Sequence, residues 1–271
     1  MSVLCCIAPM AAVANETRTS VALEGATISL SAAPSMAEVL LSDAISLGEG
    51  EHVVFLSIDL NEGWKTYWRL PGRFGLAPDF DWQASENVAS ATVHFPKPSL
   101  FQEGEGTSIG YGTATLWPVI IRTENEGQPI DVHLSLNLGL CAELCLPETV
   151  ELSASMIDLV AEPAVTMAQV FALQESLASG VQPLADVALL HQHTEIALIQ
   201  DKQSEPGSFA IVEDTLGRHV LLHANDNQAE DTEGLRGEWQ WETPITCITV
   251  IEPSSPMQVF TNDNCGQTQL P

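Results

Sequence analysis

The chain has 271 residues, with 36 acidic against 9 basic side chains and a formal net charge of −27. One domain usually holds about 100 to 150 residues, so this length predicts two. The charge repels nucleic acid and anionic lipid over about 10 Å in ordinary salt, which excludes a nucleic-acid partner. No run approaches the roughly 20 apolar residues of a spanning helix, so no membrane span is expected.

The first residues, MSVLCCIAPMAAVANET, form a short apolar core followed by Ala12-Val13-Ala14. That is the small-x-small form of a signal-peptidase site, so residues 1–14 are expected to be a signal peptide and the mature chain to be exported. Cleavage there removes Cys5 and Cys6 and leaves Cys141, Cys145, Cys247 and Cys265. An even number of cysteines in an exported chain points to disulfides, and proximity favours 141 with 145 and 247 with 265.

HVVFLSIDL (52–60) alternates at a period of two, with Val54, Leu56, Ile58 and Leu60 on one face of a strand. ENVASATVHFP, ATLWPVIIRT and DVHLSLNLGL repeat the pattern between turn signals such as PGRFGLAP and QEGEGTSIGYG. Short strands with no helical period between them predict an antiparallel β-sandwich over 27–158. In its last strand Val132, Leu134, Leu136, Leu138 and Leu140 form the apolar set, so Cys141 has the opposite parity and starts the turn. Trp64, Tyr67, Trp68 and Trp82 are expected in the core on burial tendency.

From 163 to 180 the period changes. Met167, Val170, Phe171, Leu173 and Leu177 share one helical face, with Pro163 at the first turn and Gly180 after the last, which predicts a linker helix. Beyond it VALLHQHTEIALIQ, GSFAIVEDTLGRHVLLHA, GEWQWE, TCITVIE and MQVFTND predict five strands of a second, smaller β domain over 184–271. NDNQAEDTEG is expected to be an exposed loop between them. The fold class is therefore mainly β.

Cys141 and Cys145 fall at the neck of an expected hairpin, where Cα atoms about 4.5 to 5.5 Å apart allow a disulfide. A three-residue spacer constrains the unfolded chain little, and a tight ring tends toward a more oxidising potential, so such a bridge suits redox exchange better than bracing. An inert hairpin clip is the alternative. Cys247 and Cys265 enclose 17 residues. A loop of that size corresponds to roughly 3 kcal/mol in the chain-entropy model, and the pair is expected to be a structural disulfide.

Soft thiolates also select Cu(I), and C-x3-C-x-P resembles the copper-binding segment of Sco-type copper chaperones. A non-redox copper(I) carrier or adaptor is accordingly the alternative function. In Sco proteins, however, the cysteines precede a helix, whereas here PETVELSAS continues as strand. His191 with His193, and His219 with His223, read as exposed polar faces of strands, and no metal or other cofactor is expected. No G-x-S-x-G, Walker or H-E-x-x-H motif occurs. Four of the nine basic residues, Lys65, Arg69, Arg73 and Lys97, fall within 33 positions. Lys65, Arg69 or Arg73 beside the thiols would favour the thiolate.

Three segments together resemble the N-terminal periplasmic domain of DsbD-type thiol:disulfide interchange proteins, including relatives linked to copper tolerance. They are NEGWKTYWRLPGRFGLAPDFDW, VHFPKPSLFQEGEGTSIGYGTATLWPVII and LSLNLGLCAELCLPETVELS, in that order within residues 36–155. The resemblance implies an immunoglobulin-like β-sandwich that shuttles electrons from a membrane-embedded reductase to periplasmic, thioredoxin-like oxidoreductases. It implies that Cys141 and Cys145 are the redox pair and that Cys145 forms the mixed disulfide with partners. A cap loop with adjacent aromatic residues shields the pair in the family; the corresponding QEGEGTSIGYG carries Tyr111, with Phe101 just before it. The transmembrane and thioredoxin-like domains of those proteins have no counterpart in the sequence, so the electron donor is expected to be a separate membrane thiol reductase and this chain a soluble periplasmic protein.

Overall fold

The computed structural model describes residues 17–34, 36–42, 44–45, 47–104, 106–161, 165–192, 195–199, 205–223, 235–239, 243–261 and 267–270. The expected signal peptide, Pro163, His193, the NDNQAEDTEG loop and Cys265 lie outside these residues.

The fold is mainly antiparallel β, as the alternation requires. One sheet has six strands in the order Ser20–Ala22, Ala26–Ala32, Glu51–Leu60, Thr115–Thr123, Val88–His94 and Gln267–Leu270. A second has three, in the order Cys145–Ser155, Asp131–Cys141 and Asp79–Asp81. Val54, Leu56 and Ile58 from the first meet Val132, Leu134, Leu136, Leu138 and Leu140 from the second in one buried core. This is the parity read from the sequence, and it makes the pair of sheets a sandwich.

Glu51–Leu60 is nonetheless buried on both faces through most of its length, because Val53 and Phe55 point the other way into a second cluster. There Val170, Leu173 and Leu177 cover them. The helix that carries the first two runs Met167–Ser176, and its N-cap Thr166 makes a reciprocal capping box with Gln169. It is thus a packed element of the first sheet's outer face and not a free linker. Phe171, grouped with that face in the sequence, is 53% exposed. It sits about 100° around the helix from Val170, beyond the narrow stripe that contacts the sheet.

The third large element is an eight-stranded sheet in the order Ala178–Gln182, Met257–Thr261, Ile245–Ile251, Phe209–Asp214, His219–His223, Leu235–Glu238, Glu195–Ile199 and Ala188–Gln192. It begins at Ala178, upstream of the expected 184, with a strand paired in parallel to Met257–Thr261. Two segments expected as single strands fold into hairpins, Ala188–Gln192 with Glu195–Ile199 and Phe209–Asp214 with His219–His223. The last strand, Gln267–Leu270, leaves this sheet and pairs with Val88–His94 of the sandwich. FAIVED, residues 209–214, is buried throughout because it too has two covered faces. Ala210 and Val212 join Leu222, Ile248 and Val250 in a separate core. Phe209 and Ile211, with Ile251 and Met257, enter the core of the sandwich. Full burial of each such side chain is worth about 1.5–3 kcal/mol, so the C-terminal sheet is fastened to the sandwich by apolar contact. Cys247, on Ile245–Ile251, is buried and disulfide-bonded.

His94 ends a strand with neighbours on both sides. Burial, opposed by the Glu51 charge, lowers its pKa from 6.5 to about 4. The unfolded chain therefore takes up a proton that the folded chain refuses. Stability is undiminished above pH 6.5, falls as the pH drops through the interval, and has lost its full share below about 4. The expected loss is on the order of 2 kcal/mol. Urea unfolding at pH 7 and 4.5 should show His94→Gln losing less stability than the parent; equal losses would mean that His94 is solvated and titrates normally.

Candidate redox site

Asp131–Cys141 and Cys145–Ser155 form a hairpin in unbroken register from Asp131 opposite Ser155 to Cys141 opposite Cys145. Ala142, Glu143 and Leu144 close it, with the Ala142 N–H donating to the Leu144 carbonyl at 3.1 Å. The two cysteines are disulfide-bonded, their Cα atoms 4.0 Å apart. Cys141 is fully buried, whereas Cys145 is exposed. An incoming thiolate therefore meets the Cys145 sulfur first.

What covers Cys141 is the strap Lys65–Arg69. Lys65 and Cys141 exchange backbone hydrogen bonds at 2.8 and 2.9 Å. The Thr66 hydroxyl donates to the Gly139 carbonyl at 2.9 Å. Next in the chain, the Tyr67 hydroxyl donates to Cys141 Sγ at 2.9 Å and stands 3.4 Å from Cys145 Sγ. The ring reaches the sulfurs because it slots between two glycines. A Cβ on Gly75 would lie 2.6 Å from Tyr67 Cδ1, and one on Gly139 would lie 3.1 Å from Cδ2 and Cε2. Burial, then the Glu103 charge, pushes the Tyr67 pKa above its ordinary 10.0. The phenol thus stays protonated and can donate to a thiolate on Cys141, a charge-assisted bond stronger than the one it makes to the disulfide.

Lys65 Nζ pairs with Glu103 and lies 5.6 Å from the centroid of Phe101. The Ser108 hydroxyl donates to the same carboxylate at 2.8 Å. The Lys65 hydrogen bond, opposed by desolvation and helped by Ser108, holds the Glu103 carboxyl below its ordinary 4.5. Phe101 and Tyr111 belong to the hairpin of Ser99–Glu103 and Gly106–Tyr111, which pairs with Thr66–Tyr67 in a further three-stranded sheet. The stretch QEGEGTSIGYG therefore flanks the strap as paired strand. Its tyrosine turns inward: the Tyr111 hydroxyl donates to the Pro96 carbonyl at 2.8 Å and its ring packs 5.7 Å from that of Trp117. Arg69 is drawn to the C-terminal sheet by Glu213, and Arg73 is exposed. Lys65 and Arg69 are thus held by carboxylates, and the side chain that reaches sulfur is the neutral phenol between them.

Residues 38–156 match the family described as thiol:disulfide interchange protein DsbD, N-terminal. The matched segment takes in the strap, the flanking hairpin and both cysteines of the site. The solved N-terminal periplasmic domain of ScsB from Proteus mirabilis has a similar fold, with a TM-score of 0.60 and 18% identity over 90% of this chain and 98% of that one. That coverage carries the likeness of fold past the DsbD N-terminal match and into the C-terminal sheet. No curated protein matches the chain.

Beside the exposed Glu143 of the turn, three large apolar side chains also face solvent, in the turn and just beyond the strap. Leu144, Phe74 and Leu76 are 77%, 51% and 44% exposed. Leu76 abuts Gly139 beside the Tyr67 ring, and the Phe74 ring lies on Gly106. Elsewhere, His219 pairs across the sheet with Glu213, and its pKa is lowered by burial, with Glu213 opposing and Arg69 assisting. Among the described residues no group of three or more His, Cys, Asp or Glu side chains could hold a metal ion. Tyr67 is the site residue that sequence reasoning assigned to the core alone. A signal existed: in WKTYWR it stands two residues from Lys65 and from Arg69, the spacing that puts extended-chain side chains on one face.

Proposed function

We propose that the chain is a periplasmic disulfide-exchange protein that passes electrons from a membrane thiol reductase on a separate polypeptide to thioredoxin-like oxidoreductases through Cys141 and Cys145. The observation that carries this is the asymmetry of the pair, with Cys145 exposed and Cys141 buried beneath a phenol that donates to its sulfur. The DsbD N-terminal match, which contains both cysteines, supports the same role. To load the chain, a donor thiolate attacks Cys145 Sγ, and the electron pair of the broken S–S bond moves to Cys141 Sγ, where Tyr67 meets the new thiolate. The donor's second thiolate then attacks the donor's own first sulfur and releases Cys145, leaving the donor as a disulfide and this chain two electrons richer. To unload it, the Cys145 thiolate attacks an acceptor disulfide, and Cys141 attacks Cys145 Sγ and expels the reduced acceptor. The apolar rim of Leu144, Phe74 and Leu76 suits a protein partner. No described helix is long and apolar enough to cross a membrane. Cys247 is assigned, with Cys265, to a structural bridge.

Redox titration against glutathione buffers tests this. The Cys141–Cys145 pair is expected to titrate as a reversible two-electron couple above about −300 mV, as exposed exchangeable disulfides do. A markedly lower potential favours the inert clip. If the reduced chain binds Cu(I) tightly and exchanges no disulfide with a thioredoxin-like protein, a copper(I) carrier replaces this assignment.

A further inference from the structure

The strap that carries Tyr67 is tied at both ends. At one end Lys65 is bonded to Cys141 through the backbone. At the other, the Arg69 guanidinium forms a two-pronged ion pair with Glu213, Nη1 donating to Oε2 at 2.8 Å and Nη2 to Oε1. These side chains are only 10% and 12% exposed. The guanidinium also lies 4.5 Å from the ring centroid of Trp68, the residue between it and Tyr67. Glu213 is a firm anchor, because its strand is paired on one side with His219–His223 and on the other with Ile245–Ile251, and its Phe209 and Ile211 are set in the sandwich core. A second tie crosses nearby. Lys97 Nζ, just ahead of the hairpin that flanks the strap, donates to the carbonyls of Glu252, Pro253 and Ser255 at 3.3, 3.1 and 3.0 Å.

We propose that the C-terminal sheet sets the reactivity of the Cys141–Cys145 pair, with Glu213 as a positioning residue that keeps Tyr67 on the sulfurs through Arg69 and Trp68. The proposal rests on the exchange role given above. A planar guanidinium gripped by both carboxylate oxygens is fixed in orientation as well as distance, which a lysine ammonium at the same place would not be. Without its carboxylate, a guanidinium this deeply placed is an unpaired buried charge and moves toward water. Trp68, stacked on it, and Tyr67, next in the chain, follow. A shift of about 1 Å stretches the 2.9 Å bond from the Tyr67 hydroxyl to Cys141 Sγ to the limit for a sulfur acceptor and weakens it.

The test uses the full chain and dithiothreitol as reductant, with acid quench and mass-tagging of Cys141 and Cys145 to follow reduction. Glu213→Gln, which keeps the side-chain shape, is expected to slow reduction by up to about 10-fold, the effect of losing the Tyr67 hydrogen bond itself. Arg69→Lys should slow it in the same direction and decides the matter if Glu213→Gln does not fold. Arg218→Gln, which breaks the adjacent Arg218–Asp214 ion pair and leaves the Arg69–Glu213 pair in place, should leave the rate unchanged. In a Tyr67→Phe background Glu213→Gln should add almost nothing, because both act at one contact. A folded Glu213→Gln that reacts like the parent, or one that slows the Tyr67→Phe chain by the same factor, overturns the proposal while leaving the exchange role intact. A parent pair that dithiothreitol does not reduce overturns the exchange role itself, and this inference with it.

Discussion

Cys141→Ser is expected to accumulate a mixed disulfide with a partner protein in the exporting cell, and Cys145→Ser to accumulate almost none. The difference follows from which sulfur solvent can reach. Cys145 is exposed on the hairpin, whereas Cys141 is fully buried beneath Lys65–Arg69. In the reduced chain the Cys145 thiolate attacks the partner's disulfide and the electron pair leaves on the partner's other sulfur, so the covalent intermediate always contains Cys145. Its resolution needs a second thiolate within reach of Cys145 Sγ. Cys141, directly opposite in the strand register, is in that place, and a serine hydroxyl cannot do the same chemistry. Cys247→Ser makes the contrast: no trapped species, but a stability loss of roughly 2 to 4 kcal/mol as a structural bridge is opened. Non-reducing gels after acid quench separate these outcomes, since protonated thiols do not exchange. Equal trapping by Cys141→Ser and Cys145→Ser would refute the division of roles, and trapping by neither would remove the intermediate on which exchange depends.

The parts legible in the sequence are those set by near neighbours. The inward set of Asp131–Cys141, the inversion of parity at Cys141 and the hairpin that brings it to Cys145 all follow from a period of two and a three-residue turn. What escaped depends on distant pairings. Tyr67 meets Cys141 across 74 positions, and Arg69 meets Glu213 across 144. The WKTYWR spacing puts Tyr67 on the face of Lys65 and Arg69, but nothing local says that this face meets sulfur and not Leu. The helix Met167–Ser176 was visible by its period, but the sheet face it covers was not, because Val53 and Phe55 look like ordinary outward positions of an alternating strand. The basic cluster was visible too, but its partners were not: Lys65 pairs with Glu103 and Arg69 with Glu213, both far away in the sequence.

Tyr67→Phe is expected to slow thiol attack on the oxidised chain by roughly 10-fold and to lower the reduction potential of the pair by roughly 30 mV or more. The substitution removes one oxygen and keeps the ring that Gly75 and Gly139 accommodate, so packing is nearly unchanged. What is lost is the donor 2.9 Å from Cys141 Sγ. When Cys145 is attacked, charge develops on Cys141, a sulfur that burial has stripped of water. A hydrogen bond to a charged group is worth about 1.5–3 kcal/mol, and 1.4 kcal/mol is about tenfold in rate. The same bond favours the reduced form over the disulfide whenever Cys141 is ionised, so removing it lowers the potential, by about 30 mV for each 1.4 kcal/mol. The effect has a pH signature. In the potential it grows with pH, since a neutral thiol gains little from the phenol, whereas in the rate it acts on charge that develops as the bond breaks; the phenol itself stays protonated because burial and Glu103 hold its pKa above 10.0. Stopped-flow reduction and glutathione titration at two pH values measure both quantities. If Tyr67→Phe matches the parent in rate and in potential at each pH, the phenol is packing alone, and the buried thiolate must find its stabilisation elsewhere.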